Sequence, residues 1–291
     1  HERLVGSEMC IRDREWLMRC CFDFTGPRWL QNMKWKEVER YLKKGGATVI
    51  LPCGQTEQHG PHLPMGTDTY AAMAMAADLA EEVDALIAPP LWFGWAPRMQ
   101  AFAGSVTLRA ETLEMVLFDC LQVLACQGFK NIYVLNGHRR ENLPPMEIAC
   151  TRARYETGAW IAILDPSYFG MKEQLELRDG NANLLSHAAG FETANMLYVV
   201  PDLVHSELFA DTPEEGQLNV DQYVMKDKAL LYDTPEEFRA LRGEKGVRGT
   251  VTWASEEKGR QYHQAVVAAM ADFVRQQNKR TVKLRTTAAI V

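Results

Sequence analysis

The sequence predicts an α/β fold, in which one three-layer domain has a largely parallel sheet covered by helices. Three observations support this prediction: short β-rich apolar runs without polar alternation, helical patterns between them, and the lack of a long Ser-, Gly- or Pro-rich linker in the 291 residues. A strand buried on both faces reads as a continuous apolar run, and strands that alternate with helices form parallel βαβ units. In such sheets the functional groups gather at the carboxyl ends of the strands.

In the first half of the chain, predicted helices and strands alternate. The segment Trp35 to Lys44 has amphipathic helical spacing and ends at two glycines, and Ala47 to Pro52 (ATVILP) is the first buried strand. A loop rich in Gly and Pro follows, and Thr67 to Val83 then reads as a helix rich in Ala and Met. Ala85 to Leu91 is the next predicted strand.

The second half repeats this order and adds one polar segment. The predicted elements are a helix at Ala110 to Gln127, a strand at Asn131 to Leu135, a helix at Leu143 to Tyr155, a strand at Trp160 to Leu164, and helices at Glu192 to Val199 and Ser255 to Gln277. The more polar stretch Asp211 to Gly249 is predicted to be rich in loops and to act as a lid or an oligomer contact.

We predict an N-terminal extension over residues 1–30 and one domain over residues 31–291. His1 to Glu8 lacks an initiating Met and is interpreted as expression-derived sequence, with Met9 as a candidate native start. No signal-peptide pattern is found at this end. The functional argument therefore rests on the domain alone.

Composition narrows the class of function. The net charge of −6 argues against nucleic acid as a partner, because phosphate binding needs a concentrated basic face. No apolar run approaches the roughly 20 residues that span a bilayer, so no membrane association is expected. The seven cysteines include no CxxC pair, and a reducing, cytoplasmic compartment is expected. Four of them lie in apolar, periodic segments and are predicted to be buried thiols: Cys53, Cys120, Cys126 and Cys150.

The richest segment for chemistry is Leu51 to Thr69, which follows the first predicted strand. It contains Glu57, His59 and Asp68, and carboxylate with imidazole is the ligand set of hydrolytic Zn²⁺ or Mn²⁺ centres. In an extended segment residues i and i+2 point the same way, so Glu57 and His59 can address one place. The alternative is a solvated Glu57, a loop histidine and an Asp68 that only caps the next helix.

Two further segments are predicted to reach the same edge of the sheet. Asn136-Gly137-His138 ends the strand NIYVL and brings His138, with Glu141 close behind, although Asn-Gly is also a common turn. His187 precedes a helix whose start contains Glu192, an arrangement that also suits simple helix capping.

These residues carry a resemblance to the creatininase family. The segment LPCGQTEQHGPHLPMGTD resembles the family pattern LPxGxxEQHGPHLPxxTD, IYVLNGH resembles its second strand, and HAAGFETANMLYVVPDLV resembles its later helix start. Near the C-terminus GVRGTVTWASEEKG resembles its closing segment, so the resemblance runs from roughly Trp35 to Arg275.

The resemblance implies two divalent metal ions, Zn and/or Mn with Fe as a further option, at the ends of the strands. It makes Glu57, His59, Asp68 and His138 metal ligands, with Asp68 bridging the two ions. Glu141 is expected to be the fifth ligand, with Glu192 as its substitute or as a catalytic residue beside the ligands. The resemblance makes His187 the general acid/base, and implies a homo-oligomer such as a hexameric ring.

The function expected from this resemblance is metal-dependent hydrolysis of a C–N bond in a small cyclic amide or a related amide. One alternative is a formamide deformylase that acts on an anionic, pyrimidine nucleotide-type substrate, because the side chains of Arg98, Arg139 and Arg140 suit carboxylate or phosphate. Metal-dependent peptide cleavage and a non-catalytic metal- or ligand-binding protein are further alternatives. Phe169 and Asn183 stand where the family places aromatic residues over the substrate.

Overall fold

The computed structural model describes residues 20–178, 187–212, 234–243 and 245–285. Its strands are β1 (Thr48–Cys53), β2 (Leu86–Ile87), β3 (Asn131–Asn136) and β4 (Trp160–Leu164). Its α-helices are α1 (Trp35–Lys43), α2 (Thr67–Val83), α3 (Ala110–Cys126), α4 (Leu143–Thr157), α5 (Met171–Leu177), α6 (Gly190–Val199), α7 (Pro235–Arg242) and α8 (Glu256–Gln277). Short 3-10 helices are Leu30–Asn32, Pro97–Ala101, Pro166–Tyr168, Pro201–Leu203 and Ser206–Leu208.

The four described strands form one parallel sheet in the order β2-β1-β3-β4. Strand β1 pairs along its whole length with β3, from Thr48 opposite Asn131 to Cys53 opposite Asn136. Every residue of β1 and of β3 is buried, as continuous apolar runs predict for strands that are covered on both faces. The predicted α/β fold with a parallel, helix-covered sheet is confirmed.

Two apolar cores cover the two faces of the sheet. One contains residues of α2, α6 and α8 around Ile50, Tyr133 and Leu135. The other contains residues of α3 and α4 around Val49, Leu51 and Val134, with side chains of α1 packed against it. Neighbouring residues of one strand thus enter opposite cores, which gives the three layers predicted from the sequence.

Some predicted element boundaries differ from the structure. Strand β2 ends at Ile87 instead of Leu91, because Pro89 and Pro90 carry no N–H for a strand ladder. Phe22 and Trp29, which lie in the predicted N-terminal extension, are buried in the core beside α2. Part of the extension therefore packs on the domain.

The polar segment predicted to be rich in loops contains helix α7. Thr234 and Glu237 form a capping box at its start, and Pro235 occupies its first turn. Residues 213–233 of the same segment lie outside the described residues. Among the helices described, none combines the length and the apolar character that crossing a membrane requires.

Candidate metal centre

The predicted site residues meet at the carboxyl edge of the parallel sheet. The loop after β1 brings Glu57 and His59, and the end of β3 brings His138. Asp68 lies in the first turn of α2, and Glu192 lies in the first turn of α6. Segments that are far apart in sequence converge here because parallel strands end on the same side.

Asp68 stands between two histidines. Its Oδ1 lies 3.2 Å from His59 Nε2, and its Oδ2 lies 3.1 Å from His138 Nδ1. The Asp68 side chain is only 4% exposed. Asp68 is therefore a buried carboxylate with one imidazole beside each oxygen, and this arrangement suits a metal ligand.

Glu57 is buried beside this pair. Its side chain is 1% exposed, and neither carboxylate oxygen has a hydrogen-bond partner among the described residues. The Nδ1 atoms of His138 and His187 lie 3.4 Å and 3.7 Å from its Oε1. A buried carboxylate is costly unless a cation or donors satisfy it, so this donor set fits a bound divalent cation.

The two acids between which the sequence left the fifth ligand open both reach the centre, on different sides. Glu192 Oε2 lies 3.9 Å from His59 Nε2 and accepts a hydrogen bond from the Ala188 backbone N–H. Glu141 Oε2 lies 3.3 Å from His138 Nε2. Potential ligand atoms lie within 4.8 Å of one another in three groups: Glu57, His59 and His187; Glu57, His138 and Glu141; and His59, Asp68 and Glu192.

Backbone geometry around the centre is tight. Gly137, between Asn136 and His138, has no room for a side chain, since a Cβ would lie 2.1 Å from the backbone oxygen of Asp68. Ala188 has φ 52°, an uncommon left-handed conformation for a residue with a Cβ. It places His187 before the turn and Glu192 after it, and its N–H holds the Glu192 carboxylate.

The charges of these groups are strongly coupled. Burial raises the pKa of Glu57 and raises the pKa of Glu192 to about 7. Burial alone would lower the pKa of His59, but Asp68 and the other carboxylates outweigh it and raise the pKa to about 10. Burial alone would raise the pKa of Asp68, yet His59 and His138 hold that pKa below its usual range. The carboxylates therefore favour positive charge at His59, and a bound cation can supply that charge.

His187 lies at the rim of the same cluster. Its ring centroid is 4.6 Å from that of His59, and its Nε2 contacts the backbone oxygen of Gln58 at 2.9 Å and the side-chain Nε2 of Gln58 at 2.8 Å. An antiparallel bridge to Arg248 fixes its backbone. Gln58 and Arg248 were not selected from the sequence, although both lie in segments that resemble the family.

A cavity of about 400 Å³ opens onto the cluster. Besides the acids and histidines, it is lined by Arg98, Arg139, Arg140, Arg248, Tyr168 and Tyr262. This volume lies in the range of small-molecule sites.

The arginines differ in what they contact. Arg98 forms an ion pair with Glu141, and both side chains are largely buried. Arg98 therefore contacts a candidate metal ligand and is not simply an arginine that faces the substrate. Arg139 lies 4.5 Å over the ring of Tyr168 and 3.9 Å from Asp165. Phe169 packs against Phe273, and Tyr168 takes the place at the cavity wall that the sequence suggested for Phe169. Asn183 lies outside the described residues.

The fold and the cluster together define a parallel α/β domain with a carboxylate–histidine centre at its strand ends. The family model described as "Creatininase: Creatinine amidohydrolase" matches residues 31–274. The chain belongs to the creatininase family, as the sequence resemblance predicted.

Relatives in this family carry names of different hydrolytic activities. The chain is 27% identical over 259 residues to the 3-dehydro-scyllo-inosose hydrolase of Thermotoga maritima, covering 85% of this chain and 82% of that protein. It is 27% identical over 262 residues to the creatinine amidohydrolase of Pseudomonas putida, covering 84% and 95%. It is 28% identical over 250 residues to the mycofactocin precursor peptide peptidase of Mycolicibacterium smegmatis, covering 82% and 88%.

Solved creatininase structures share the fold. A crystal structure of creatinine amidohydrolase superposes with a TM-score of 0.76 at 26% identity, covering 88% of this chain and 99% of that one. A structure described as "Creatininase Mn" has a TM-score of 0.76 at 25% identity, covering 87% and 99%. A mutant described as "Zn-Zn type" has a TM-score of 0.74 at 25% identity, covering 87% and 98%.

Proposed function

We propose that this protein is a metal-dependent hydrolase that cleaves a C–N bond in a small cyclic amide or a related amide. The observation that carries this proposal is the environment of Asp68, whose two buried oxygens each face a different histidine. Beside them lies Glu57, whose carboxylate oxygens have no hydrogen-bond partner among the described residues. Such a site suits two divalent ions that share one carboxylate. Zn and Mn are the favoured ions, with Fe as a further option, since N and O donors suit all three.

The residues that would hold the ions form two sets, and Asp68 belongs to both. One set contains Glu57, Asp68 and His138, with Glu141 beside His138. The other contains His59, Asp68 and Glu192. The descriptions of solved creatininases that name Mn and Zn support the choice of metals.

Two bound ions would supply an activated water molecule and polarise the scissile carbonyl. His187 would donate a proton to the departing nitrogen, since its Nδ1 faces Glu57 and its Nε2 is anchored at Gln58. The cavity of about 400 Å³ next to the cluster has room for a small substrate.

A second candidate is hydrolysis of an anionic amide, such as a formamide on a pyrimidine nucleotide-type molecule. Arg139, Arg140 and Arg248 line the cavity, and guanidinium groups bind carboxylate and phosphate well. Because the relatives' names cover creatinine, an inosose and a peptide, the substrate panel must include neutral cyclic amides, N-formyl compounds with an anionic group, cyclic ketones and short peptides.

Metal content is the first test. Asp68→Asn should bind neither ion tightly, whereas wild type should bind about two ions per chain by elemental analysis. Asp165→Asn is a matched control, because Asp165 is another buried aspartate at this edge of the sheet but belongs to none of the three ligand groups. It should keep both ions.

Loss of metal in both variants would mean that Asp68 has no special role. Failure of the wild type to bind Zn²⁺ or Mn²⁺ after reconstitution would refute the proposed centre and favour a non-catalytic ligand-binding protein. If the wild type is fully loaded but cleaves no member of the panel, the centre stands and the proposed reaction fails.

A further inference from the structure

We propose that Arg98 is a positioning residue of the metal centre, which acts through Glu141 on the imidazole of His138. In this arrangement Glu141 accepts a hydrogen bond from His138 and is not itself a ligand. Glu192 completes the ligand set. The inference rests on the proposed function, since it assigns residues around the same two ions.

The two nitrogens of His138 face different carboxylates. Nδ1 lies 3.1 Å from Asp68 Oδ2 and 3.4 Å from Glu57 Oε1, while Nε2 lies 3.3 Å from Glu141 Oε2. A neutral imidazole has one lone pair and one N–H. The lone pair belongs on the side of the bridging carboxylate and the bare Glu57, so the N–H at Nε2 donates to Glu141. Carboxylates that hold a ligating histidine in this way fix its tautomer and its ring orientation.

Glu141 is itself held by Arg98. Both Nε and one terminal nitrogen of the guanidinium contact Glu141 Oε1, which leaves Oε2 to accept the hydrogen bond from His138. The side chains of Arg98 and Glu141 are only 12% and 10% exposed, so the carboxylate has a buried counter-charge. This partner favours a fixed outer carboxylate over one that turns to a metal ion.

Glu192 has a different environment. It accepts the N–H of Ala188, and its Oε2 lies in the ligand group of His59 and Asp68. No arginine ion pair with Glu192 is found among the described residues. Of the two acids, Glu192 is thus the one available as a ligand.

Helix α7 supports Arg98 from outside the centre. Arg98 lies in the 3-10 helix Pro97–Ala101, and its guanidinium is 4.9 Å from the ring centroid of Phe238. Phe238 is buried against Ala96 and Met99. The chain of contacts therefore runs from α7 through Arg98 and Glu141 to His138.

The test compares the metal affinity of Arg98→Met, Arg98→Lys and Glu141→Gln with that of the wild type. Each protein is titrated with Zn²⁺ or Mn²⁺ against a chromophoric chelator, and the bound ions are counted by elemental analysis. Loss of a residue that hydrogen-bonds to a metal ligand typically weakens metal binding by about 10–100-fold. We expect this loss at one ion in Arg98→Met and Glu141→Gln, a smaller loss in Arg98→Lys, and little change at the other ion.

Arg239→Met is the matched control. Arg239 donates to the backbone oxygen of Ala101 and stacks on Phe102, so it holds the same 3-10 helix without touching Glu141. It should bind both ions as the wild type does. A double variant, Arg98→Met with Glu141→Gln, removes the uncompensated charge and should lose no more affinity than either single variant.

Three other patterns of metal binding would contradict the proposed role of Arg98, and each indicates a different role. If Glu141 is a ligand, Glu141→Gln should lose an ion outright while Arg98→Met tightens binding, because a competing cation has been removed. If Arg98 serves only the substrate, Arg98→Met should bind both ions with wild-type affinity. Equal weakening in Arg239→Met would reduce Arg98 to a structural anchor, and a wild type without metal would refute the proposed function together with this inference.

Discussion

Gly137 offers a direct test of how the fold builds the candidate metal centre. A Cβ at this position would lie 2.1 Å from the backbone oxygen of Asp68, whereas real Cβ atoms essentially never come closer than 3.0 Å to such an atom. Gly137→Ala must therefore move the end of β3 and the first turn of α2 apart by at least 0.9 Å. No side-chain rotation relieves this contact, because the atom that is met belongs to the backbone.

Both stability and metal binding should change. Forcing an extra methyl group into a packed region costs about 1–3 kcal/mol. At about 2–4 °C per kcal/mol for chains slightly shorter than this one, Tm should fall by about 2–12 °C. Metal ligands must stay within about 0.5 Å of their productive positions, and the required shift exceeds that tolerance. We therefore expect metal affinity to fall by at least about 10-fold, comparable to the loss of a residue that supports a ligand.

The assay measures Tm by calorimetry on metal-free protein and metal affinity by chelator competition. Gly128→Ala is the control: its φ of +115° makes a side chain strained, but its nearest neighbours are methyl groups of Leu42 at 3.9 Å and 4.0 Å. It should lower Tm and leave metal affinity unchanged. Wild-type Tm and wild-type metal affinity in Gly137→Ala would refute the steric argument.

Three other variants probe the cavity, the helix packing and a buried histidine. Replacing both Arg139 and Arg140 by Met should raise KM at least about 10-fold for an anionic substrate, or about 1.4 kcal/mol, and leave KM for a neutral one unchanged; equal effects on both substrates would exclude anion recognition. Gly259→Ala puts a Cβ 1.8 Å from the Ala194 carbonyl oxygen, and calorimetry should show a loss of about 1–3 kcal/mol; an unchanged Tm would contradict this close helix contact. Burial, with His59 nearby, lowers the pKa of His62 to about 4, from about 6.5 in an unfolded chain. The neutral His62 therefore stabilises the folded protein above pH 6.5, and this contribution is lost as pH falls toward 4. Tm of the wild type should fall more steeply over that range than Tm of His62→Gln, and parallel curves would refute this origin.

The candidate ligands could be predicted because their signals are local. Glu57, His59 and Asp68 lie within one loop and helix start after an apolar strand, and His138 directly follows another. Burial of parallel strands on both faces leaves a strong apolar pattern, and the carboxyl ends of such strands lie together. The fold class, and the sheet edge at which the candidate ligands come together, can thus be predicted from short segments of the sequence.

The supporting contacts could not be predicted in the same way. Arg98 and Glu141 are 43 positions apart, and no periodic pattern in the sequence indicates that they pair. Arg98 was therefore interpreted as a substrate-binding arginine, equivalent to Arg139 and Arg140. Helix α7 was missed because it is short and rich in charged residues, and its buried Phe238 packs against Ala96 and Met99, which are distant in sequence.

The candidate ligands come from local sequence segments, whereas the contacts around them join distant segments. This difference indicates which residues determine the substrate preference. The candidate metal ligands lie mainly at strand ends and helix starts within the residues that the family model matches, and the relatives' names nevertheless describe different substrates. The cavity wall has other origins: Tyr168 from a 3-10 helix after β4, Phe238 from α7, and Arg248 from the loop before α8. A wall assembled from separate segments can change without moving Asp68 or its histidines. Substitutions at Tyr168 and Arg248 should therefore alter KM and the choice of substrate while the number of bound metal ions stays the same, whereas a parallel loss of metal would show that wall and centre are one unit.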